Sequence, residues 1–236
     1  MYEQRVYRNQ VLSKCCFEVS YKESDLLISA DKDIKKDLAR NLLIKYYREI
    51  EEYGEKNPPF LTSLSPLKVE PEAPSIVKDM LRCSRVTGVG PFAAVAGAVA
   101  FYVGEELLKF SDELFIENGG DIFLKINEDK RIGVYLGRSL GQVSLLVRKR
   151  AHSFGIASSS SFMGHSLNFG KAELVTVVAG NSILADGFAT SLSNRIKTKT
   201  DAQSVLEEAR TNSLIDALVV AVGGQLYLWG DVEIVG

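Results

Sequence analysis

Histidine, cysteine and long apolar runs are scarce in this sequence, and each scarcity excludes a class of protein. The 236 residues include two histidines and three cysteines, Cys15, Cys16 and Cys83. No cysteine pair has the spacing of a zinc site, and three cysteines of which two are adjacent do not make a disulfide framework. Such cysteine usage is typical of a reducing compartment, so we expect a cytoplasmic protein.

The charges are balanced and the hydrophobic content is ordinary. Lys and Arg number 28 against 30 Asp and Glu, so no basic excess favours a nucleic-acid partner. The longest apolar run, residues 90–104, is shorter than the about 20 residues that a membrane-spanning helix needs. The N-terminus is too polar for a signal peptide. We therefore expect a globular protein with neither a membrane nor a nucleic acid as partner.

The first third of the chain predicts a hairpin followed by helices. Alternating apolar residues over 15–32 predict two strands with a turn at 22–25. Residues 33–53 predict an amphipathic helix with Asp33 as its cap. The proline-rich stretch 54–75 predicts a loop or an extended edge, and a further helix follows from 75 to 85.

The rest of the chain predicts mainly strands joined by tight turns. A helix that starts at Gly90 and Pro91 precedes them. The strand-like runs lie within residues 112–126, 131–137, 142–148 and 172–180. The serine-rich stretch 155–170 predicts a mobile loop. Two helices, 182–197 and 201–210, and a last hairpin that turns at Gly223 and Gly224 complete the chain.

This order of elements predicts an α+β fold, an antiparallel sheet with helices packed on one face. We expect a single domain over residues 1–236, with an N-terminal strand and helix portion (1–85) and a second portion (86–236). Both halves of the chain could be versions of one unit made of a strand pair and a helix pair.

The helix "NSILADGFATSLSNRI" carries one acid, Asp186, among small and apolar residues. Ser182, Asp186, Thr190 and Asn194 are four residues apart and form one polar stripe. A buried carboxylate needs a cation or hydrogen-bond donors, and Mg²⁺ accepts such oxygen ligands together with phosphates. Alternatively, Asp186 is an early-turn acid that the helix dipole favours.

Asn118, Gly119, Gly120 and Asp121 lie between two strand-like runs, which predicts a hairpin turn. The same glycines would let a ligand approach the backbone, with Asn118 and Asp121 as hydrogen-bonding groups. In a strand, Cys15 and Cys16 face opposite sides, so at least one belongs to the core.

Two further stretches allow a structural and a functional interpretation. Gly88 and Gly90 precede a helix, where free N–H groups favour a phosphate, or they serve close packing. The stretch with Ser159, Ser160 and His165 is either a lid or a solvated loop.

In order, these motifs resemble the flavin-transferase (ApbE-like) superfamily over about residues 86–230. The resemblance implies a T-fold-like, two-layer and partly duplicated architecture. It places Asp186 and Thr190 at positions that bind Mg²⁺ beside the pyrophosphate of flavin adenine dinucleotide (FAD). It further implies that Gly119, Gly120 and Asp121 help bind the flavin, and that "SSSSFMG" stands where the family has "TSG".

The sequence also departs from the family pattern. The helix start reads "GVGPFA" instead of "GGIAKG", so Phe92 occupies the lysine position, and the "H-x-x-D-P-x-T-G" segment is missing, with His165 alone nearby. The closer resemblance is to a short cytoplasmic branch found in archaea and anaerobic bacteria. Some of its members have been linked to sulfide assimilation and homocysteine formation.

Three hypotheses follow. In the first, the chain binds a flavin or another nucleotide through Mg²⁺. In the second, it is a sulfur-handling protein in which Cys15, Cys16 or Cys83 reacts. In the third, it is a structural homo-oligomer whose polar helix stripe lies in a subunit interface.

Overall fold

A computed structural model of the chain describes residues 15–137, 140–161 and 169–235. The helices are α1 (Lys36–Lys56), α2 (Pro58–Thr62), α3 (Ser75–Thr87), α4 (Val95–Leu107), α5 (Ser182–Arg195) and α6 (Lys199–Thr211). The first strands are β1 (Cys15–Tyr21), β2 (Ser24–Ala30), β3 (Leu114–Asn118), β4 (Asp121–Lys125), β5 (Lys130–Tyr135) and β6 (Gln142–Val147). The later strands are β7 (Phe154–Ser159), β8 (Leu174–Ala179), β9 (Ile215–Val222), β10 (Gln225–Gly230) and β11 (Val232–Val235).

The strands form two antiparallel sheets. The large sheet has eight strands in the order β1-β2-β3-β4-β7-β8-β9-β10, and the small sheet has three in the order β11-β6-β5. Within the large sheet, β4 pairs with β7, so the sheet continues from the first half of the chain into the second. Every registered pair is antiparallel, which confirms the expected α+β class.

The large sheet contains two copies of one arrangement. In the first copy, β1 and β2 precede helices α1 to α4, and β3 and β4 follow them. In the second copy, β7 and β8 precede α5 and α6, and β9 and β10 follow. Each copy therefore inserts its helices between its second and third strands, and this repetition is the partial duplication that the sequence predicts.

The helices pack on one face of the large sheet. On β8, Val175 and Val177 belong to an apolar cluster with α5 and α6. The alternate residues Leu174 and Val178 belong to a cluster with the small sheet. Because neighbouring strand residues point to opposite faces, the two clusters lie on opposite sides. The small sheet thus adds a third layer on the face that carries no helices.

The prediction for residues 33–75 is wrong in two places. Asp33 does not cap α1, since Lys35 precedes the helix and contributes no side-chain cap. Helix α1 runs on to Lys56, and α2 begins at Pro58 inside the predicted loop. Proline has the backbone angle of a first helical turn, so it starts a helix as readily as it interrupts one.

The serine-rich stretch was predicted as a mobile loop, but its first part is strand β7, in the middle of the large sheet. Gly155, the first residue of this stretch, has a structural reason. A Cβ atom at Gly155 would lie 2.2 Å from the backbone nitrogen and Cα of Ser182. The strand therefore needs a glycine where the start of α5 crosses it, and the same glycine makes the sequence look like a loop. The sequence interpretation also missed β11.

A sharp corner separates α3 from α4. Helix α3 ends at Gly88, whose φ of 78° is the left-handed conformation typical of a residue that follows a helix. A short 3₁₀ turn, Pro91–Ala94, then leads into α4.

Within the described ranges, no single helix is long and apolar enough to cross a membrane. The segments Ser75–Thr87 and Pro91–Leu107 reach such a length and composition only together, and they are bent by 108°.

Replacing Gly155 with alanine should lower the free energy of unfolding by about 3 kcal/mol, because the new methyl group meets backbone atoms that cannot move aside. Gly180→Ala is the matched control, since nothing lies within 4 Å of the position where its Cβ would be. We expect the control to stay within about 1 kcal/mol of the parent protein in urea unfolding. Equal stability of the two variants would contradict the proposed contact between β7 and α5.

Candidate functional site

Asp186 lies in α5 and is only 7% exposed. Its Oδ2 accepts a hydrogen bond of 2.9 Å from the backbone N–H of Gly97. Gly97 belongs to the first turn of α4, where N–H groups lack partners within the helix and the helix dipole is positive. Asp186 therefore caps α4 from a different helix, and the dipole that favours it is that of α4.

Helices α4 and α5 approach unusually closely at this contact. A Cβ atom at Gly97 would lie 2.2 Å from the carbonyl oxygen of Ser182 and 2.8 Å from the Cβ of Asp186. The Ser182 hydroxyl donates a hydrogen bond of 2.7 Å to the Gly97 carbonyl. The small residues around Gly97 thus bring the two helices together, and Ser182 and Asp186 of the polar stripe face α4. Ser182 and Asp186 are buried within the chain and do not fit the hypothesis that the stripe lies in a subunit interface. For the rest of the stripe this hypothesis stays a prediction.

Asn118 meets the same turn of α4. Its side-chain amide donates a hydrogen bond of 3.1 Å to the carbonyl oxygen of Ala96. Asn118 and Asp186 were singled out from separate motifs, and the structure brings them to neighbouring residues, Ala96 and Gly97. The first turn of α4 is therefore the centre of the candidate site.

Asn118 and Asp121 form the last pair of the β3–β4 hairpin. Gly119 and Gly120 connect them with φ angles of 72° and 111°, so the turn itself requires glycines. Asp121 alternates with Ile122 and shares its face with Phe123, which packs in the cluster of α1, α3 and α4. The buried Asp121 therefore points to the helix side of the sheet, as the site requires.

Thr190 lies one helical turn after Asp186 on the same face of α5. Its side chain is 9% exposed, and its hydroxyl has no hydrogen-bond partner within the described residues. In the same part of the chain, Asp186 has one donor, Gly97, and no ion pair. Burial raises the pKa of Asp186 to about 7, while the Gly97 N–H acts in the opposite direction. The carboxylate is thus short of positive charge.

Asp186 and Thr190 are too few to enclose a metal ion by themselves, but they suit a hard cation that also binds water and phosphate. No group of three His, Cys, Asp or Glu side chains within the described ranges could hold a metal ion. Mg²⁺ does not require one, because it takes one or two protein oxygens and completes its shell with water and phosphate oxygens. The Asp186 carboxylate and the Thr190 hydroxyl fit that set of ligands.

The glycines before α4 have structural explanations. The Gly88 N–H already donates to the Ser84 carbonyl at 2.9 Å, so the prediction that it is available to a phosphate is wrong. A Cβ at Gly90 would lie 1.7 Å from the carbonyl oxygen of Ser63, which explains why a glycine stands there. A ligand-binding role of Gly90 stays a prediction.

Ser159 is the last residue of β7, and Ser160 follows it directly. Ser159 alternates with Ser158 and shares the face of Ala157, which packs against α5 and α6, so it lies on the helix side of the sheet. The Ser160 hydroxyl donates to the Glu173 carbonyl at 2.7 Å and ties the two strand ends together. His165 lies outside the described residues.

The three cysteines differ in exposure. Cys16 is exposed and Cys15 is partly buried, in agreement with opposite faces of β1. Cys83 is buried, and its thiol donates to the Ile183 carbonyl at 3.2 Å. Burial, and secondarily the charge of Asp186, raises the pKa of Cys83 to about 12. A thiol in this state is a poor nucleophile, so nothing at Cys83 favours sulfur chemistry.

A separate surface cleft of about 450 Å³ lies between α1, α3 and α4. Lys45, Tyr46 and Tyr102 are among its lining residues. None of the residues singled out from the sequence lines it, so we do not assign the candidate site to this cleft.

Comparison with known proteins decides the family. A family model described as AbpE bacteria matches residues 8–227. The chain belongs to this family. Among its relatives, the UPF0280 protein of Methanococcus maripaludis strain C5 is 38% identical over 213 residues, covering 87% of this chain and 86% of that protein. The UPF0280 protein of Methanocaldococcus jannaschii is 36% identical over 220 residues, covering 89% and 88%.

Solved structures of ApbE proteins share the fold of this family member. The flavin transferase ApbE from Vibrio cholerae matches with a TM-score of 0.62 at 13% identity, over 91% of this chain and 96% of that chain. The flavinyl transferase ApbE of Pseudomonas stutzeri matches with a TM-score of 0.59 at 12% identity, over 91% and 93%. The ApbE-like fold that the sequence predicts is confirmed.

Sequence reasoning missed two residues that build the site. Gly97 is the backbone donor to Asp186. The sequence pattern that could have indicated it is a single glycine inside an alanine-rich helix. Asn181 caps α5 by accepting from the Leu184 N–H at 2.9 Å. An Asn directly before an apolar helix is a common N-cap residue, so the capping role of Asn181 could have been predicted from the sequence.

Asp186→Asn should change how stability depends on pH. The folded carboxyl keeps its proton up to about pH 7, whereas the unfolded one releases it near the ordinary value of 3.8. Unfolding between these values releases a proton, so the stability of the parent protein falls as the pH rises through this window. Asn keeps the bond to Gly97 and has no such dependence. The variant should gain up to about 4 kcal/mol over the parent between the two pH limits.

The measurement is urea unfolding of both proteins across the pH range with a chelator present, so that no bound cation contributes. A difference in unfolding free energy that does not change with pH would contradict the burial of Asp186.

Cys83 should resist thiol reagents in the folded protein, because its pKa and its burial both disfavour the thiolate. We expect its modification at pH 8 to be at least about a hundredfold slower than in the urea-unfolded chain. The exposed Cys16 is the internal control and should react readily. Peptide mapping after a timed reaction measures both sites, and equal reactivity of Cys83 and Cys16 would show that the thiol is accessible.

Proposed function

We propose that this protein binds a flavin dinucleotide or a related nucleotide together with Mg²⁺, at the first turn of α4. The observation that carries the proposal is the state of Asp186. Its carboxylate is buried with one N–H donor and no ion pair to a cationic side chain, one turn from a hydroxyl that has no partner in the described part of the chain.

A bound cation would remove the unfavourable part of this arrangement. Burying a carboxylate without a counter-charge is costly, and one hydrogen bond compensates only part of that cost. Mg²⁺ at Asp186 and Thr190 would supply the missing charge. The ion in turn needs further oxygen ligands, which the phosphates of a nucleotide provide. Nucleotide and metal would therefore bind together.

The residues around the metal position suit the rest of such a ligand. Asn118 and Asp121 lie side by side on the helix face of the β3–β4 hairpin and offer hydrogen-bonding groups. The flavin part of the proposal is supported by the shared fold with the flavin transferase ApbE from Vibrio cholerae.

The chain's own groups would hold and orient the ligand. The Gly97 N–H fixes one oxygen of Asp186 and leaves the other for the cation. Bound Mg²⁺ would supply positive charge to the phosphate oxygens of the ligand. Phe92, at the position that the family pattern assigns to lysine, is partly exposed and packs edge-on against Phe60. Binding is therefore proposed here without a transfer step.

The test measures binding of FAD to the purified chain, once with Mg²⁺ and once with a chelator. Titration calorimetry and thermal unfolding are the two readouts. A ligand at about a hundred times its dissociation constant adds about 2.7 kcal/mol of stability. We expect binding with Mg²⁺ only. Asp186→Asn should weaken binding about 100-fold, because it removes the negative charge and replaces one carboxylate oxygen with an amide nitrogen. Thr190→Val should weaken it about tenfold, because it removes the hydroxyl ligand.

Thr190→Ser is the matched control, since it keeps the hydroxyl and should bind like the parent. Asp37→Asn, in the exposed first turn of α1, controls for the loss of a negative charge. Binding that persists in the chelator, or that Thr190→Val leaves unchanged, would contradict the assigned metal ligands. No binding of any nucleotide by the parent protein would contradict the function itself.

A further inference from the structure

Strand β10 ends the large sheet at the edge opposite β1. It spans Gln225–Gly230 and pairs with β9 on one side. Among the described residues, no strand lies on its other side. Such an edge presents backbone N–H and C=O groups that are ready to pair with another chain.

Proteins usually protect exposed edges with charged side chains or proline. The other outer strands of the two sheets follow this rule. Glu18 lies in β1, Lys130 and Arg131 in β5, and Glu233 in β11. The sequence of β10, "QLYLWG", contains neither a charge nor a proline. Among these outer strands, β10 is therefore the one suited to pairing.

The side chains of β10 are apolar on both faces of the sheet. Tyr227 and Trp229 lie beside the cluster of α5 and α6, and Leu226 beside the cluster of the small sheet. Leu228 lies on the same face as Leu226 and is 37% exposed. All four are at least partly exposed, so a neighbouring strand would cover apolar surface on both sides.

We propose that β10 pairs with β10 of a second copy of this chain, antiparallel across a two-fold axis, so that two large sheets become one. This proposal does not depend on nucleotide binding.

The strand is complementary to itself in this arrangement. Residues directly opposite each other in an antiparallel pair share a face of the sheet. With Leu228 on the axis, Leu228 faces its own copy and Tyr227 faces Trp229 of the partner. With Tyr227 on the axis, Leu226 faces Leu228. With Leu228 on the axis Leu226 also faces Gly230, and with Tyr227 on the axis Trp229 faces Gln225. The other facing pairs are apolar, and no like charges oppose each other because β10 has none. A second copy therefore fits this edge without any change in sequence.

Sedimentation of the full chain over a dilution series tests the proposal, with fluorescence of Trp229 as a second readout. Trp229 is the one tryptophan in the sequence, so its emission reports on β10 alone. We expect a dimer that dissociates on dilution, with Trp229 emission moving to longer wavelength as the strand is exposed. Leu228→Lys should raise the dissociation constant about tenfold or more, since it places two positive charges opposite or near each other.

Leu64→Lys is the matched control. It introduces the same charge at a leucine that is 59% exposed and lies in the loop after α2, and it should leave the dimer intact. If Leu228→Lys does not fold, hydrogen exchange of the unmodified protein gives the answer, because β10 amides should become more protected as concentration rises. A chain that stays monomeric at the highest concentration overturns the proposal. A dimer that Leu228→Lys leaves unchanged in affinity and emission also overturns it.

Discussion

One carboxylate joins the two halves of this molecule. Asp186 belongs to the second structural repeat. It accepts a hydrogen bond from the backbone N–H of Gly97, which belongs to the first. The contact exists because glycine stands at two crossing points, Gly97 against α5 and Gly155 beneath its start. With a side chain at either position, α5 would move away and the carboxylate would lose its donor. The packing of the helices and the chemistry of the site therefore depend on the same few atoms.

The sequence predicted those elements whose signals are local. The β1–β2 hairpin, the turn at Gly119 and Gly120, and helix α5 follow from alternation, turn residues and periodicity, and all are present. Strand β7 was missed because its glycine, Gly155, is required by close contact with the start of α5, a helix that comes later in the chain. Helix α2 was missed because proline marks both loops and helix starts. What sequence reasoning lacked was knowledge of contacts between distant segments.

The same limit explains how well the candidate site could be predicted. Asp186 stood out because a lone acid among small residues is unusual, and the structure gives it a buried position. The role of Gly97 could not be read from its neighbours, since its partner lies on another helix. Gly88 showed the opposite error. A glycine that closes a helix and a glycine that admits a ligand look alike in sequence, and only the bond to Ser84 distinguishes them.

The repetition within the large sheet has a consequence for how many sites the chain can hold. Each repeat has two strands, its helices and two more strands, and among the described residues the repeats share a single strand pair, β4 with β7. Asn118 and Gly97 lie on one side of this seam and Asp186 on the other. Neither repeat contains the full set of groups. Within the described residues, the outer strands β1 and β10 pair with no strand of the other repeat. Duplication has here produced asymmetry, because two related halves contribute different groups to one candidate site. The proposed binding would therefore have a stoichiometry of one ligand per chain.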